Sequence, residues 1–302
     1  MRSKQHHIFR SSGAVMSCLT LMVYLLACDG AVQAQSKVSE KEWAVAINFA
    51  GRQRMLSQKM TKEFLLVSLK VDGDANKKLF NDTSTMFNDT LNRLIKGDAE
   101  LNVPAPPTKE IADQLNVVKG LWTEFKAKVD SGIQSNTNSQ EALAEVATLN
   151  VSLLQEMNKA VGLYQSDSQK AGVKTLGAVI NVAGRQRMLT QKMSKEILLI
   201  ALGVDPAANQ KALQETKDLF QTSLVGLVQG NAELGLPPTT SKPALTQLRK
   251  VESLWKEFSP LADEAAASPQ ISPALIQRVA ELNPPLLREM NRAVTLYEAE
   301  SQ

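Results

Sequence analysis

From about Ser39 onward, apolar residues recur every three or four positions. Strand-like alternation at period two is absent, and Ala, Leu, Lys, Glu and Gln dominate, so the chain is expected to be all helix. Breakers divide the pattern. The first helix is expected from about Ser39 to Lys70 and ends at Val71-Asp72-Gly73-Asp74. The second runs from about Asn76 to Lys96 and stops at Gly97, expected as a left-handed cap. After Asn102-Val103-Pro104-Ala105-Pro106-Pro107, a third helix starts near Thr108 and carries Leu115, Val118, Leu121, Trp122 and Phe125 at helical spacing. A fourth is expected from Ser139 to about Tyr164. Four helices joined by short loops predict an antiparallel up-down bundle.

The pattern then repeats. Ile47-Asn48-Phe49-Ala50-Gly51-Arg52-Gln53-Arg54-Met55-Leu56-Ser57-Gln58-Lys59-Met60 returns as Ile180-Asn181-Val182-Ala183-Gly184-Arg185-Gln186-Arg187-Met188-Leu189-Thr190-Gln191-Lys192-Met193. Between Ile47 and Leu66, 16 of 20 positions are identical to the second copy, at an offset of 133 residues. The offset holds without a gap: Gly97 matches Gly230, Trp122 matches Trp255, and Glu156-Met157-Asn158 matches Glu289-Met290-Asn291. A period this long means duplicated domains rather than a solenoid. The fold class is therefore all-α, two tandem antiparallel four-helix bundles, spanning 38–167 and 171–300. The join from Gln165 to Lys174 is compatible with a turn or with one continuous helix.

A helix core needs only sizes and pattern, so a retained Gly, Arg and Gln make a stronger demand. On a helical wheel, Phe49, Leu56, Met60 and Val67 form an ordinary core stripe. The opposite face carries Ile47, Gly51, Arg54, Met55, Gln58, Lys62, Leu65 and Leu69, apolar at its ends and polar at its centre. Helix one thus has two faces to bury. A mid-helix glycine costs about 1 kcal/mol against alanine, so Gly51 points to close approach of a backbone or ligand. If the two motif helices pack together, Arg54 and Arg187 face each other, and a small anion between them would supply the counter-charge. The competing reading is ion pairing with Glu156 and Glu289, or with Glu63 and Glu196. Gly51, Arg54 and Gln58, with Gly184, Arg187 and Gln191, are the candidate ligand-binding residues. Arg52 and Lys59 are expected at the surface. Asn158 and Asn291 are expected as interhelix hydrogen-bonding groups, Trp122 and Trp255 as core, and Tyr164 and Tyr297 as plugs at the bundle ends.

The first 34 residues read differently. Arg2, Lys4 and Arg10 precede an apolar run from Gly13 to Ala27 and the small-residue pattern Val32-Gln33-Ala34. Residues 1–34 are expected to be an export signal, with lipid attachment at Cys28 as the weaker alternative. Cys18, Cys28, His6 and His7 are all the cysteines and histidines of the chain. A chain beginning at Gln35 has neither thiolate nor imidazole chemistry, and its net charge of about +1 is no nucleic-acid footprint. No metal, cofactor or catalytic group is expected, and the chain reads as a non-enzyme: even a di-iron bundle would need Glu-x-x-His motifs.

The run from Ala50 to Met60 resembles the signature of PilJ-type domains, the N-terminal sensor regions of type IV pilus chemotaxis transducers. It is also similar to the Ala-Gly-x-x-Arg-Met segment of the NarX and NarQ nitrate/nitrite sensors. The closing Glu-Met-Asn-x-Ala-Val-x-x-Tyr segment looks PilJ-like too. The resemblance implies that the motif arginine, Arg54 here and Arg187 in the second copy, binds an anion at a symmetric helix-one interface. Arg52-Gln53 and Leu56-Ser57-Gln58 depart from the nitrate sensors and fit the PilJ-type group better. The resemblance implies an exported, periplasmic sensory module for a small oxyanion. No transmembrane or signalling segment is expected beyond Gln302, and the module is expected to act with a membrane chemoreceptor, sensor kinase or pilus-associated protein. The alternative is a ligand-free interaction module whose repeated face docks on a chemoreceptor or pilus component.

Overall fold

The structure, a computed structural model, describes residues 38–135, 139–173, 175–268 and 270–300. The expected export signal and Cys28 lie outside the described residues. The first copy contributes α1 (Glu40–Ser68), α2 (Gly73–Lys96), α3 (Lys109–Ser135) and α4 (Gln140–Lys170); the second contributes α5 (Thr175–Ala201), α6 (Pro206–Gln229), α7 (Lys242–Ala267) and α8 (Pro273–Ala299). Two up-down bundles result, α1–α4 and α5–α8, in which each helix packs on its chain neighbours and α1 and α5 also pack on α4 and α8.

Local chemistry accounts for the boundaries. Ser39 caps α1 in a full capping box with Glu42, which satisfies two backbone donors at the helix start. Ser139, Ser241 and Ser272 likewise accept from the third residue of α4, α7 and α8. Proline at the first turn favours the starts of α6, α7 and α8. Gly97 ends α2 as expected, but with φ 80° and ψ 161°, outside the left-handed helical region. The chain instead leaves in an extended direction and closes a small bridge between Asp98 and Val103. A side chain at Gly97 would lie 2.9 Å from the Ala105 nitrogen, so glycine is required twice over.

Helix four extends to Lys170, six residues past Tyr164, and the chain turns at Ala171-Gly172 before α5 begins. Tyr164 is therefore no end plug: its ring is fully buried inside α4. Tyr297 is also buried, with its hydroxyl 2.6 Å from Thr239 Oγ1. Each bundle core centres on an aromatic pair, Phe87 with Trp122 at 4.5 Å and Phe220 with Trp255 at 4.4 Å between ring centroids.

The two bundles lie side by side through α1 and α5, the most extensive helix pair of the molecule. From Trp43 to Ser68, α1 is buried at every position except Arg52 and Lys59. Three neighbours cover it: α2 and α4 of its own bundle, and α5 of the other. The helices run parallel. Gly51 and Gly184 meet near the start, while Lys62 further on reaches Asn283, whose amide bonds the Thr190 carbonyl and Ser194 Oγ of α5. Equivalent residues of the two copies thus oppose each other across a pseudo-two-fold axis.

Candidate functional site

The site forms where α1 and α5 cross. The missing side chains of Gly51 and Gly184 leave the space that the guanidinium groups occupy. A Cβ on Gly184 would lie 3.2 Å from Arg187 Nη2 and 3.8 Å from Arg54 Nη2; on Gly51, the distances would be 3.4 Å to Arg54 and 3.8 Å to Arg187. The two guanidinium groups are therefore neighbours, with Nη2 atoms within about 7 Å of each other. Helical side chains lean toward the N-terminus. Each arginine accordingly reaches back and across to the motif asparagine of the other copy. Arg54 Nη2 donates to Asn181 Oδ1 at 2.8 Å and to the Asn181 carbonyl at 3.3 Å, and Arg187 Nη2 donates to Asn48 Oδ1 at 2.8 Å. Arg54 Nη1 also donates to Asn158 Oδ1 at 3.3 Å, so Asn158 is an interhelix hydrogen-bonding group.

Both arginines are 3% exposed. None of the four glutamates proposed as their partners pairs with them. Glu63 pairs with Lys59, Glu196 with Lys192, Glu156 with Lys159, and Glu289 with Arg288 and Arg292. The Nε donors of Arg54 and Arg187 are buried and make no hydrogen bond among the described residues. Burial pushes both arginines well below the ordinary guanidinium value, to about 9. Arg185 adds to the effect on Arg54; Arg52 and Arg54 add to it on Arg187, and Glu298 opposes it. Both stay charged at neutral pH.

Gln58 and Gln191 are buried on the same face but turn elsewhere. Gln58 Nε2 donates to Ser57 Oγ at 3.2 Å; Gln191 Nε2 donates to Thr190 Oγ1 at 3.1 Å and Asn283 Oδ1 at 2.9 Å. Their Oε1 atoms make no hydrogen bond among the described residues. The flank residues are less exposed than a surface position implies. The Arg52 guanidinium lies 4.9 Å over the Phe49 ring, and Lys59 donates to Glu63 and Thr83.

Sequence reasoning placed Lys62 on the second face of helix one but missed the polar layer that it forms with Asn283, and Lys195 with Asn150. Lys62 Nζ crosses to Asn283 Oδ1 at 2.8 Å, and Lys195 Nζ crosses to Asn150 Oδ1 at 3.0 Å. All four residues are buried. The signal was present, since both pairs obey the 133-residue offset. Among the described residues, no three His, Cys, Asp or Glu side chains are grouped to hold a metal, and no helix is long and apolar enough to cross a membrane.

The chain matches the family model for the type IV pili methyl-accepting chemotaxis transducer N-terminal domain, PilJ, at residues 38–149 and again at 171–281. It is 34% identical over 120 residues to the methyl-accepting chemotaxis protein McpN of Pseudomonas aeruginosa, covering 40% of this chain and 22% of that protein. It is 26% identical over 236 residues to Protein PilJ of the same organism, covering 76% of this chain and 33% of that protein. The chain thus spans a third or less of the length of these relatives. No solved structure matches it.

Proposed function

The chain belongs to the PilJ family, and we propose that its two domains, 38–167 and 171–300, form one periplasmic sensory module that binds a small oxyanion, of the nitrate or nitrite kind, between Arg54 and Arg187. One observation carries this reading: two buried guanidinium groups face each other with their Nε donors unused among the described residues, and none of Glu63, Glu196, Glu156 and Glu289 pairs with either. The field of Glu298 offsets only part of the two like charges in this dry interface, and a planar anion matches the guanidinium fork. Glycine at positions 51 and 184 keeps the space beside both groups clear. A membrane chemoreceptor, sensor kinase or pilus-associated protein would carry the signal onward, in keeping with the chemotaxis protein among the relatives. Nitrate or nitrite should raise the melting temperature of the isolated protein, and Arg54→Ala with Arg187→Ala should remove the shift. A flat response to a panel of small oxyanions sinks the reading.

A second reading is a ligand-free module that docks on a chemoreceptor or pilus component. The repeated Gly51 and Gly184 face is covered inside the chain, so docking would use another surface. Met86 and Leu219, at equivalent positions of α2 and α6, are 48% and 37% exposed and favour those helices. Capture of a transducer's periplasmic domain that is lost with Met86→Lys and Leu219→Lys would support docking.

A further inference from the structure

Each interface arginine begins a three-residue chain. Arg54 Nη2 donates to Asn181 Oδ1, and Asn181 Nδ2 donates to Gln165 Oε1. Arg187 Nη2 donates to Asn48 Oδ1, and Asn48 Nδ2 donates to Glu298 Oε2 at 2.7 Å. The first two members are identical under the offset of 133, and the third is not: Gln165 stands where the second copy has Glu298. Within a shared geometry, one chain ends in a neutral amide and the other in a carboxylate.

The difference decides the charge of the interface. Arg54 and Arg187 bring two buried positive charges, and Glu298 brings one negative charge whose field acts on Arg187 and Arg52. Arg52 and Arg185 are half-buried at the flanks, where Arg52 shares the field of Glu298 and Arg185 acts on Arg54. One monoanion added to Glu298 neutralises the two buried guanidinium groups. A dianion overshoots and meets the repulsion of Glu298 as well. A symmetric pair of single-copy domains would carry two amides or two carboxylates, for an inner charge of two or zero. Duplication within one chain permits the value between.

Resting on the anion reading above, we infer that Glu298 sets the charge of the anion this interface accepts, admitting monoanions and rejecting dianions, with Gln165 as its neutral counterpart.

The test is calorimetric titration of the full chain at pH 8 with nitrate and with sulfate, using wild type, Glu298→Gln and Gln165→Glu. Wild type should bind nitrate more tightly than sulfate by roughly tenfold or more, and Glu298→Gln should bring sulfate to within roughly threefold of nitrate. Gln165→Glu should weaken nitrate by roughly tenfold, because a second carboxylate cancels the remaining inner charge. If nitrate binds and depends on Arg54 and Arg187, yet the nitrate-to-sulfate ratio is the same in wild type and Glu298→Gln, the charge-setting role is overturned and the anion site stands. If neither anion binds any of the three proteins, the site and this inference fall together.

Discussion

Lys62 of the first copy donates a 2.8 Å hydrogen bond to Asn283 of the second, 221 residues further along the chain. The mirror bond runs from Lys195 to Asn150 at 3.0 Å. Each asparagine also binds the backbone of its own motif helix: Asn283 Nδ2 holds the Thr190 carbonyl, and Asn150 Nδ2 holds the Ser57 carbonyl. A lysine from one bundle thus ends on an asparagine fixed in the other. These reciprocal crossings pin the register of α1 against α5.

Burial holds Lys62 and Lys195 at about 8, against an ordinary 10.5. Glu63 and Glu196 pull the values up, and Lys59 and Lys192 push them down. The folded chain therefore favours the neutral amine, while the unfolded chain keeps an ordinary lysine. Between pH 8 and 10 the unfolded state holds more protons, and stability should rise with pH by about 1 kcal/mol per pH unit for each lysine. At higher pH the buried Tyr164, whose hydroxyl burial pushes up, acts in the opposite direction. Melting temperatures taken from pH 7.5 to 10 should climb in the wild type. In Lys62→Met with Lys195→Met they should be flat up to about pH 9, on a higher baseline; above it Arg54 and Arg187, held at about 9, add a rise of the same sign in both proteins. A wild-type melting temperature that falls steadily over this range contradicts the assignment.

Asn283→Leu strips Lys62 of this partner and breaks the bonds to Thr190 and Ser194. It should cost about 3 kcal/mol in a urea titration at pH 7, as expected for a buried charge deprived of its acceptor. Asn283→Asp should cost less, because a carboxylate gives Lys62 a counter-charge. It should also reverse the lysine's part of the pH slope, since Lys62 would then titrate above its ordinary value.

Arg54→Lys keeps the charge and loses the fork. Arg54 reaches Asn181 with one nitrogen and Asn158 with another, which a single ammonium cannot reproduce. Anion-induced stabilisation should fall to a small fraction of the wild-type value, while circular dichroism shows the same helix content. Full retention of the anion response would mean that net charge alone, and not the planar donor pattern, matters at this position.

Gly184→Ala and Gly51→Ala should differ. Alanine gains about 1 kcal/mol of helix preference at either position. At Gly184 the new methyl meets Arg187 Nη2 at 3.2 Å, whereas at Gly51 its nearest contact is 3.4 Å. Gly51→Ala should be neutral or slightly stabilising and bind anion almost normally. Gly184→Ala should displace the guanidinium and weaken anion binding several-fold at little cost in stability. Binding and thermal melting together separate the two effects.

Much of this molecule was legible along the chain. The 3.6-residue rhythm and the breakers between its runs predicted four helices in each copy. Because helix ends are set by local hydrogen bonding, most boundaries lie near those observed, though the fourth helix runs on to Lys170. The second buried face of α1 was visible in Ile47, Gly51, Met55 and Leu65 opposite the core stripe. Asn48 and Asn181 were present in the repeat, yet nothing in the linear pattern marked them as arginine partners. An asparagine nearly two turns before an arginine acquires meaning only when the arginine leans back across an interface. Lys62 stood on that second face, yet nothing local marked its partner Asn283, which lies 221 residues further along the chain.

The sequence by itself determined the helices, the duplication and the family, since each rests on local periodicity or on residue identity at fixed offsets. Only the tertiary structure decided that α1 and α5 lie parallel, that Arg54 and Arg187 are buried side by side away from every glutamate proposed for them, and that Gln165 and Glu298 end otherwise matched hydrogen-bond chains. Those facts depend on which faces meet across more than a hundred residues of chain, and no local propensity encodes that choice.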